Sequence, residues 1–552
     1  MVIPRFSRRR FLAFSTLAAS APLFAGCNTP GVKTASPSDP AAPEKGSATP
    51  GVLRYAIREE PTTLDPHLCF STGTWDALHN TFEPLVQYDA DNKLEPILLS
   101  EMPTVSVDGL TYTCKIKPGV RFHDDTPLTA EVVRANALRI LSKSLASPRA
   151  TLTLDDIVGA NEYIAGKSPD VSGVKIVDAQ TIRFVLTAPR AYFLDKLTGF
   201  LIASPTAWES AEKNERGIPE ITLESAKGTG AFQLSEYIRQ SKVVQTAFDG
   251  YHGEKPKLTR IERPIIIDAK TTRNLYDSDS LDIYAENVAD YESDKADPAT
   301  KNELSEWRSA GVFFVTLGQK KLAAMRDVRV RQALSRAIDR NVIAQEALAG
   351  MYPPATGLLA PLDAAAELSE LPDALQFAPD VSRQLLKEAG YGADKPFAFT
   401  ILYSEGSVTA SKTTQVLKEQ WAAVGVNVTL QEQEWGTLLK RMENGDFDAM
   451  YSGWSGTPDP HSVLWNLLSS RSPNNYGQYR SAEFDRHCDA GDTALTEAER
   501  KAAYDKAVAV ALKDAPILPV VFGSEVRLIR RYVSGIRHGL GGMLPHTVAA
   551  TQ

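Results

Sequence analysis

Apolar and polar positions change period repeatedly along the chain, and each change predicts an element. Residues 110–117 alternate and stop at Pro118-Gly119, the pattern of a half-buried strand closed by a turn. From 129 to 140 apolar residues return at helical spacing, with Thr129 placed as N-cap. Asp327 caps another predicted helix, in which Val330, Ala333, Leu334, Ala337 and Ile338 form one apolar stripe. Residues 397–403 read as an apolar strand, 414–424 as a helix with Gly425 as its C-cap, and 426–430 as a second strand. Strand, crossover helix and strand make the βαβ unit of an open α/β sheet. Thr496 and Glu499 form a capping box that opens a helix running towards Asp514-Ala515-Pro516. No internal repeat is visible, which argues against solenoids and propellers.

The first residues follow a different logic. Residues 1–26 carry Arg5, Arg8, Arg9 and Arg10, then a short and weakly apolar run that ends at Ala25-Gly26 before Cys27. A positive segment, a short apolar segment and small residues before a cut are the parts of an export signal. Ser7-Arg8-Arg9-Arg10-Phe11-Leu12 resembles a twin-arginine motif, and Ala25-Gly26-Cys27 resembles a bacterial lipobox, so Cys27 is the expected lipidation site. Residues 28–51 hold five Pro and three Gly and no aromatic residue, so 27–52 should form an extended tether that holds the body near a membrane. Cys69, Cys114 and Cys488 remain, without CxxC spacing, and are expected as buried small apolar residues.

With 552 residues and 43% of them hydrophobic, the chain has material for about three domains. Its net charge is −8, and because the leader holds four arginines and no acid, the remainder stands at −12. No basic run lies outside the leader, so nucleic acid is excluded as an expected partner. No HExxH, GxSxG, Walker loop or GxGxxG occurs, and the eight histidines lack metal-ligand spacing. No enzyme activity, cofactor or resident metal is expected. Asp124-Asp125 reads as a turn rather than a catalytic carboxylate pair.

Five blocks, in order, resemble the periplasmic oligopeptide and dipeptide binding proteins, the family 5 extracellular solute-binding proteins of peptide-type ABC importers. They are Glu60-Pro61-Thr62-Thr63-Leu64-Asp65-Pro66-His67; Asp108 to Tyr112 with Gly119-Val120-Arg121-Phe122-His123-Asp124-Asp125; Gly228-Thr229-Gly230-Ala231-Phe232; Asp327 to Leu334 with Ala337 to Arg340; and Glu434-Trp435, Phe447-Asp448, Gly453-Trp454 and Pro458-Asp459-Pro460. The resemblance implies an α/β, periplasmic-binding-protein-like fold of two lobes with a hinge and three domains, the first discontinuous. Mapped by these blocks, domain I comprises 53–84, 206–311 and 522–552, domain II is the insert 85–205, and domain III is 312–521. It further implies a monomeric, exported receptor that passes peptides to permease subunits served by cytoplasmic ATPases.

An extended peptide offers a repeating backbone, so affinity without sequence preference needs strand-like pairing to the ligand main chain. Gly453 and Ser455 suit close backbone approach, while Trp435 and Trp454 would wall the side-chain pockets or else pack in the core. Tyr451, Asn474 and Asn475 are further candidates for the cleft. Asp125 departs from the family's Gly, at a turn position where φ > 0 is plausible, and Gly318-Gln319 stands where the family often has Asn. Thr457 stands where peptide receptors hold an aspartate for the ligand's ammonium, and Asp459 is the nearest acid. Asp459 is therefore expected either to take over that role or to cap the loop before His461. His461 could ligate a metal complex or remain a loop histidine. The displaced acid keeps a second ligand class open, namely a nickel or other metal chelate, an opine-like conjugate or an oligosaccharide.

Overall fold

The structure, a computed structural model, describes residues 50–550 apart from 70, 210, 212, 214–216, 363–370, 537, 540, 541 and 544–547. The expectations for the leader, for Cys27 and for the tether as far as 49 lie outside the described residues.

Three sheets organise the body. The first orders Val52–Arg54, Arg260–Pro264, Lys242–Ala247 and Phe232–Ile238, with the leading pair parallel and the others antiparallel. The second is antiparallel, in the order Thr104–Val105, Thr111–Lys115, Thr181–Val185 and Val174–Asp178. Helix Ala130–Leu141 lies against it, and Val133, Ala137 and Ile140 join a core with Tyr112, Phe122 and Phe184. Thr129 caps that helix by accepting from the Val132 amide at 3.4 Å, as the pattern predicted.

The third sheet has six strands, Ile283–Ala285, Ile517–Ile529, Leu304–Leu317, Ala449–Trp454, Phe397–Ser404 and Val426–Gln433. Phe397–Ser404 and Val426–Gln433 run parallel, joined by helix Val408–Ala422, which is the expected βαβ unit. The helix starts six residues before the predicted 414, because the Ser407 side chain accepts from the Ala410 amide and caps a polar first turn that periodicity does not reveal. Thr496 opens helix Glu497–Asp514, its hydroxyl accepting from the Glu499 amide at 3.3 Å and donating to Glu499 Oε2 at 2.8 Å.

The two long strands of this sheet, Leu304–Leu317 and Ile517–Ile529, have different neighbours along their length. Their outer halves, Leu304 to Arg308 against Ser524 to Leu528, lie beside Ile283–Ala285. Their inner halves, Val312 to Thr316 against Ile517 to Phe522, continue into Ala449–Trp454. The register breaks between Arg308 and Val312, where Gly311 faces Gly523. A Cβ at Gly523 would stand 2.2 Å from Ser309 Oγ and 3.3 Å from the Gly311 Cα, so the strands cross there with no room for side chains.

The sequence blocks correspond to contacts between distant stretches of the chain. Asp65 is fully buried, accepts from the His67 amide at 2.9 Å and pairs with Arg139 of helix Ala130–Leu141. His123 donates its amide to Gly228 O at 2.9 Å, and its ring meets Gly230 O at 2.8 Å. Gly228 is required there, since a Cβ would fall 1.8 Å from Thr81 O. Asp125 adopts φ 69°, and the Asp124 carboxylate receives the Thr126 amide and the Ser204 hydroxyl, so the pair builds a turn. Arg331 and Arg340, buried at 5% and 4% exposure, tie backbone carbonyls of separate elements: Arg331 bonds Asp514 O and Met325 O, and Arg340 bonds Pro519 O and Leu375 O. Cys69, Cys114 and Cys488 are free and buried in three separate apolar clusters.

Candidate ligand-binding cleft

A cavity of about 390 Å³ opens between the first sheet and the third, over the crossing strands. One wall is the extended segment after Val52–Arg54, from Tyr55 to Arg58, with Trp75 beside it. The opposite wall is Ser455 and Gly456, where Ala449–Trp454 leaves the sheet. Arg308 to Gly311 with Glu525 and Arg527, from the crossing strands, complete the floor. The volume is within the range of small-molecule sites, about 300–1,000 Å³.

Of the residues expected in the site, Ser455 lines this cavity. Gly453 lies two residues before it and is exposed; a Cβ there would meet the Phe313 ring at 2.7 Å, so its small size serves the sheet beneath. Trp454 is half-buried, donates Nε1–H to Ser462 O at 2.7 Å and packs on the apolar cluster of Leu464 and Phe484. Trp435 begins helix Trp435–Asn444 and is 55% exposed, away from the cavity lining. Tyr451 is a core residue: its ring stacks on Phe313 with centroids 6.3 Å apart, and burial pushes its phenol up.

The loop residues are engaged internally. Asn475 is buried, donates to Ser469 O and Tyr479 O and accepts from the Tyr479 amide, while Asn474 donates to Asn466 Oδ1 at 3.2 Å. Both of Asp459's oxygens receive Arg500 Nη2 at 2.6 Å, and Oδ1 also accepts the His461 amide at 2.9 Å. The His461 ring stacks on Tyr192 at 3.6 Å between centroids, and its Nδ1 meets Asp492 Oδ1 at 2.8 Å. Thr457 donates to Asp195 Oδ2 at 2.9 Å, and Tyr88 donates to the other oxygen at 2.7 Å. Burial, with the nearby Asp459 charge, pushes the Asp195 carboxyl up to about 6. Asp195 lies on helix Phe193–Leu197 and Tyr88 ends strand Val86–Tyr88, elements whose Phe193, Leu197 and Val86 join the core of the second sheet, so this loop contacts elements packed on that core. Tyr451, Asp459, His461, Asn474 and Asn475 do not line this cavity, and each spends polar or aromatic surface on neighbouring protein.

Tyr55, Trp75, Arg263, Arg308 and Arg527, which do line the cavity, were not singled out in the sequence. One signal was available: Arg263 sits in a strand that pairs on both sides, where a charge at a buried position calls for a reason. Among the described residues no group of three metal-ligating side chains occurs and no helix is long and apolar enough to cross a membrane.

Comparison with known proteins gives the same picture. The chain is 27% identical over 539 residues to the probable deoxycholate-binding periplasmic protein YgiS of Escherichia coli, covering 96% of each. It is also 27% identical over 484 residues to the periplasmic oligopeptide-binding protein OppA of Salmonella typhimurium, covering 86% of this chain and 88% of that one. Its fold matches the Escherichia coli murein tripeptide binding protein MppA with a TM-score of 0.78 at 24% identity, over 91% of this chain and 98% of that one. The model of the bacterial extracellular solute-binding proteins, family 5 Middle, matches residues 93–475. The chain therefore belongs to the family 5 bacterial extracellular solute-binding proteins, and is a binding protein rather than an enzyme.

Proposed function

We propose that the chain is the extracytoplasmic receptor of an ABC importer, capturing oligopeptides in a closing cleft and delivering them to a membrane permease. The observation that carries this reading is the cavity walled by two extended segments, Tyr55 to Arg58 and Ser455-Gly456, which come from different sheets. An extended ligand between them can pair its main chain with both sides, and such pairing is indifferent to side-chain identity. The matching relatives named for oligopeptides and dipeptides support the ligand class. The register break at Arg308 to Val312 supports a hinge and the partition into 53–84, 206–311 and 522–552, 85–205, and 312–521. Incubation with a defined peptide mixture, followed by mass spectrometry of what stays bound, tests this: intact peptides are expected, and fragments would overturn it.

Two further parts of the proposal concern the envelope. Export as a lipoprotein anchored at Cys27 rests on the leader and lipobox pattern, and stable retention needs more than one acyl chain. Cys27→Ser should release the protein from membranes; a wild-type N-terminus that begins before residue 27 would overturn the anchor. A non-peptide ligand is the second reading. It is favoured by the engagement of Asp459 with Arg500, which leaves the segment after Trp454 without an available acid for an ammonium, and by the likeness to a relative named for deoxycholate.

A further inference from the structure

The cleft is positive in an otherwise acidic chain. Arg58, Arg263, Arg308 and Arg527 line it against Asp76 and Glu525, an excess of two positive charges in a protein of net charge −8. Arg527 is committed to Glu525 Oε2 at 3.0 Å, and Arg308 donates Nη1–H to Pro361 O at 3.4 Å. Arg263 differs. It is 3% exposed, its guanidinium lies over the Tyr55 ring at 4.1 Å, and Nη2 pairs with Asp76 Oδ2 at 2.9 Å. Its Nε and Nη1 have no hydrogen-bond partner among the described residues.

A purely structural role does not account for that. Arg340, equally buried at 4% exposure, places Nε on Pro519 O and Nη1 on Leu375 O, and Arg149, Arg500 and Arg530 each leave only Nε without a partner, whereas Arg263 leaves two buried donors. Buried, desolvated donors without an acceptor are costly, and when they border a ligand cavity the missing acceptor is most simply a ligand group. The Asp76 bond and the Tyr55 ring hold the guanidinium in place before any ligand arrives, which lowers the ordering cost of binding. Guanidinium groups match carboxylates in both charge and planar donor geometry.

We propose that Arg263 is a ligand-binding residue that receives a carboxylate at the floor of the cleft, with Arg308 and Arg527 adding attraction. This rests on the reading of the cleft as the ligand site and specifies its ligand as a carboxylate-bearing molecule. The carboxylate can belong to a peptide, at its C-terminus, or to a non-peptide organic acid.

The test uses the full mature chain, freed of co-purified ligand and refolded, and three probe sets. These are a mixture of tri- to pentapeptides without Asp or Glu, the same peptides C-amidated, and a pool of non-peptide carboxylic acids, each followed by competition mass spectrometry and calorimetry. Loss of a desolvated charge–charge contact predicts at least a 30-fold preference for the free acids over the amides. The double variant Arg263→Met/Asp76→Asn, which leaves no buried charge unpaired, should abolish that preference, and Arg263→Lys should keep part of it. Binding from the carboxylic-acid pool alone would support the site and retire the peptide reading. Acid and amide peptides that bind within twofold of each other would overturn the carboxylate site while leaving the cleft as a peptide site. No binding of any set by folded protein would overturn both. The acid-to-amide comparison needs no variant, so it decides even where a substitution prevents folding.

Discussion

Replacing Asp459 by Asn separates a ligand role from a structural one, and the structure sets the expected size of the effect. The Asp459 side chain is 8% exposed and that of Arg500 is 18% exposed, with Arg500 Nη2 2.6 Å from both carboxylate oxygens. Removing one partner of a fully buried pair costs about 3–5 kcal/mol. Arg500 keeps some solvent and a contact with Tyr504 Oη at 3.3 Å, and the carboxamide oxygen that replaces the carboxylate would still accept the His461 amide, so a loss of about 2–3 kcal/mol is expected for Asp459→Asn. Asp459→Ala also removes the acceptor for the His461 amide and should lose about 1 kcal/mol more. For an unfolding unit of about 200 residues, 2–3 kcal/mol lowers the transition by roughly 4–12 °C. Differential scanning calorimetry reads this directly. Titration calorimetry with a free-amine peptide and its N-acetylated form should show the same affinity ratio before and after the substitution. A selective loss of about 2–5 kcal/mol for the free amine, with an unchanged transition, would refute the structural role and make Asp459 the ammonium partner.

His67 is buried and His79 half-buried, and desolvation, with Arg139 or Arg149 nearby, lowers each to about 4. His67 Nε2–H donates to Leu201 O and Nδ1 accepts from Arg139, an arrangement open only to the neutral ring. Their folded values lie below the ordinary 6.5, so the unfolded chain takes up the protons first. Their contribution is complete above about pH 6.5 and is lost as pH falls towards 4, by about 3 kcal/mol at most for each. Asp195, held up at about 6, and Glu286, held up at about 8, act in the opposite sense, so the difference between wild type and a histidine variant, not the wild-type slope alone, reads the histidine contribution. Urea unfolding at steps from pH 7 to 4.5 should show this slope, and His67→Gln should flatten it; an identical slope in the variant would exclude His67 as its source. Gly228→Ala drives a Cβ to 1.8 Å from the Thr81 carbonyl oxygen and should cost at least about 2 kcal/mol or prevent folding, whereas Gly392→Ala, with open space around it, should melt within about 2 °C of wild type. Hinge closure should shrink the radius of gyration in small-angle scattering and raise stability by about 2.7 kcal/mol at a ligand concentration 100 times Kd. A scattering curve unchanged at proven saturation would count against closure.

Local pattern alone determined much of this protein. Thr129, Thr496 and Asp327 begin helices where their side chains can take an amide, and Pro118-Gly119 follows the strand that the alternation at 110–117 describes. The order of the five blocks carried the family, because the chemistry of those blocks is itself local: a turn at Asp124-Asp125, a buried acid at Asp65, and glycines at 228 and 230 where another backbone crosses. Which face of the segment from Tyr451 to His461 meets ligand was not local. Asp459, His461 and Thr457 have partners 41, 31 and 262 residues away, Arg500, Asp492 and Asp195, and no spacing within the loop announces them. The cleft is likewise a product of tertiary structure. Its arginines come from four separate stretches of chain, Arg58, Arg263, Arg308 and Arg527, and in the linear sequence each is one charge among the 60 Lys and Arg residues. Packing brings them to one cavity and decides which donors find carbonyls within the fold, as at Arg340, and which, as at Arg263, are left facing the ligand site.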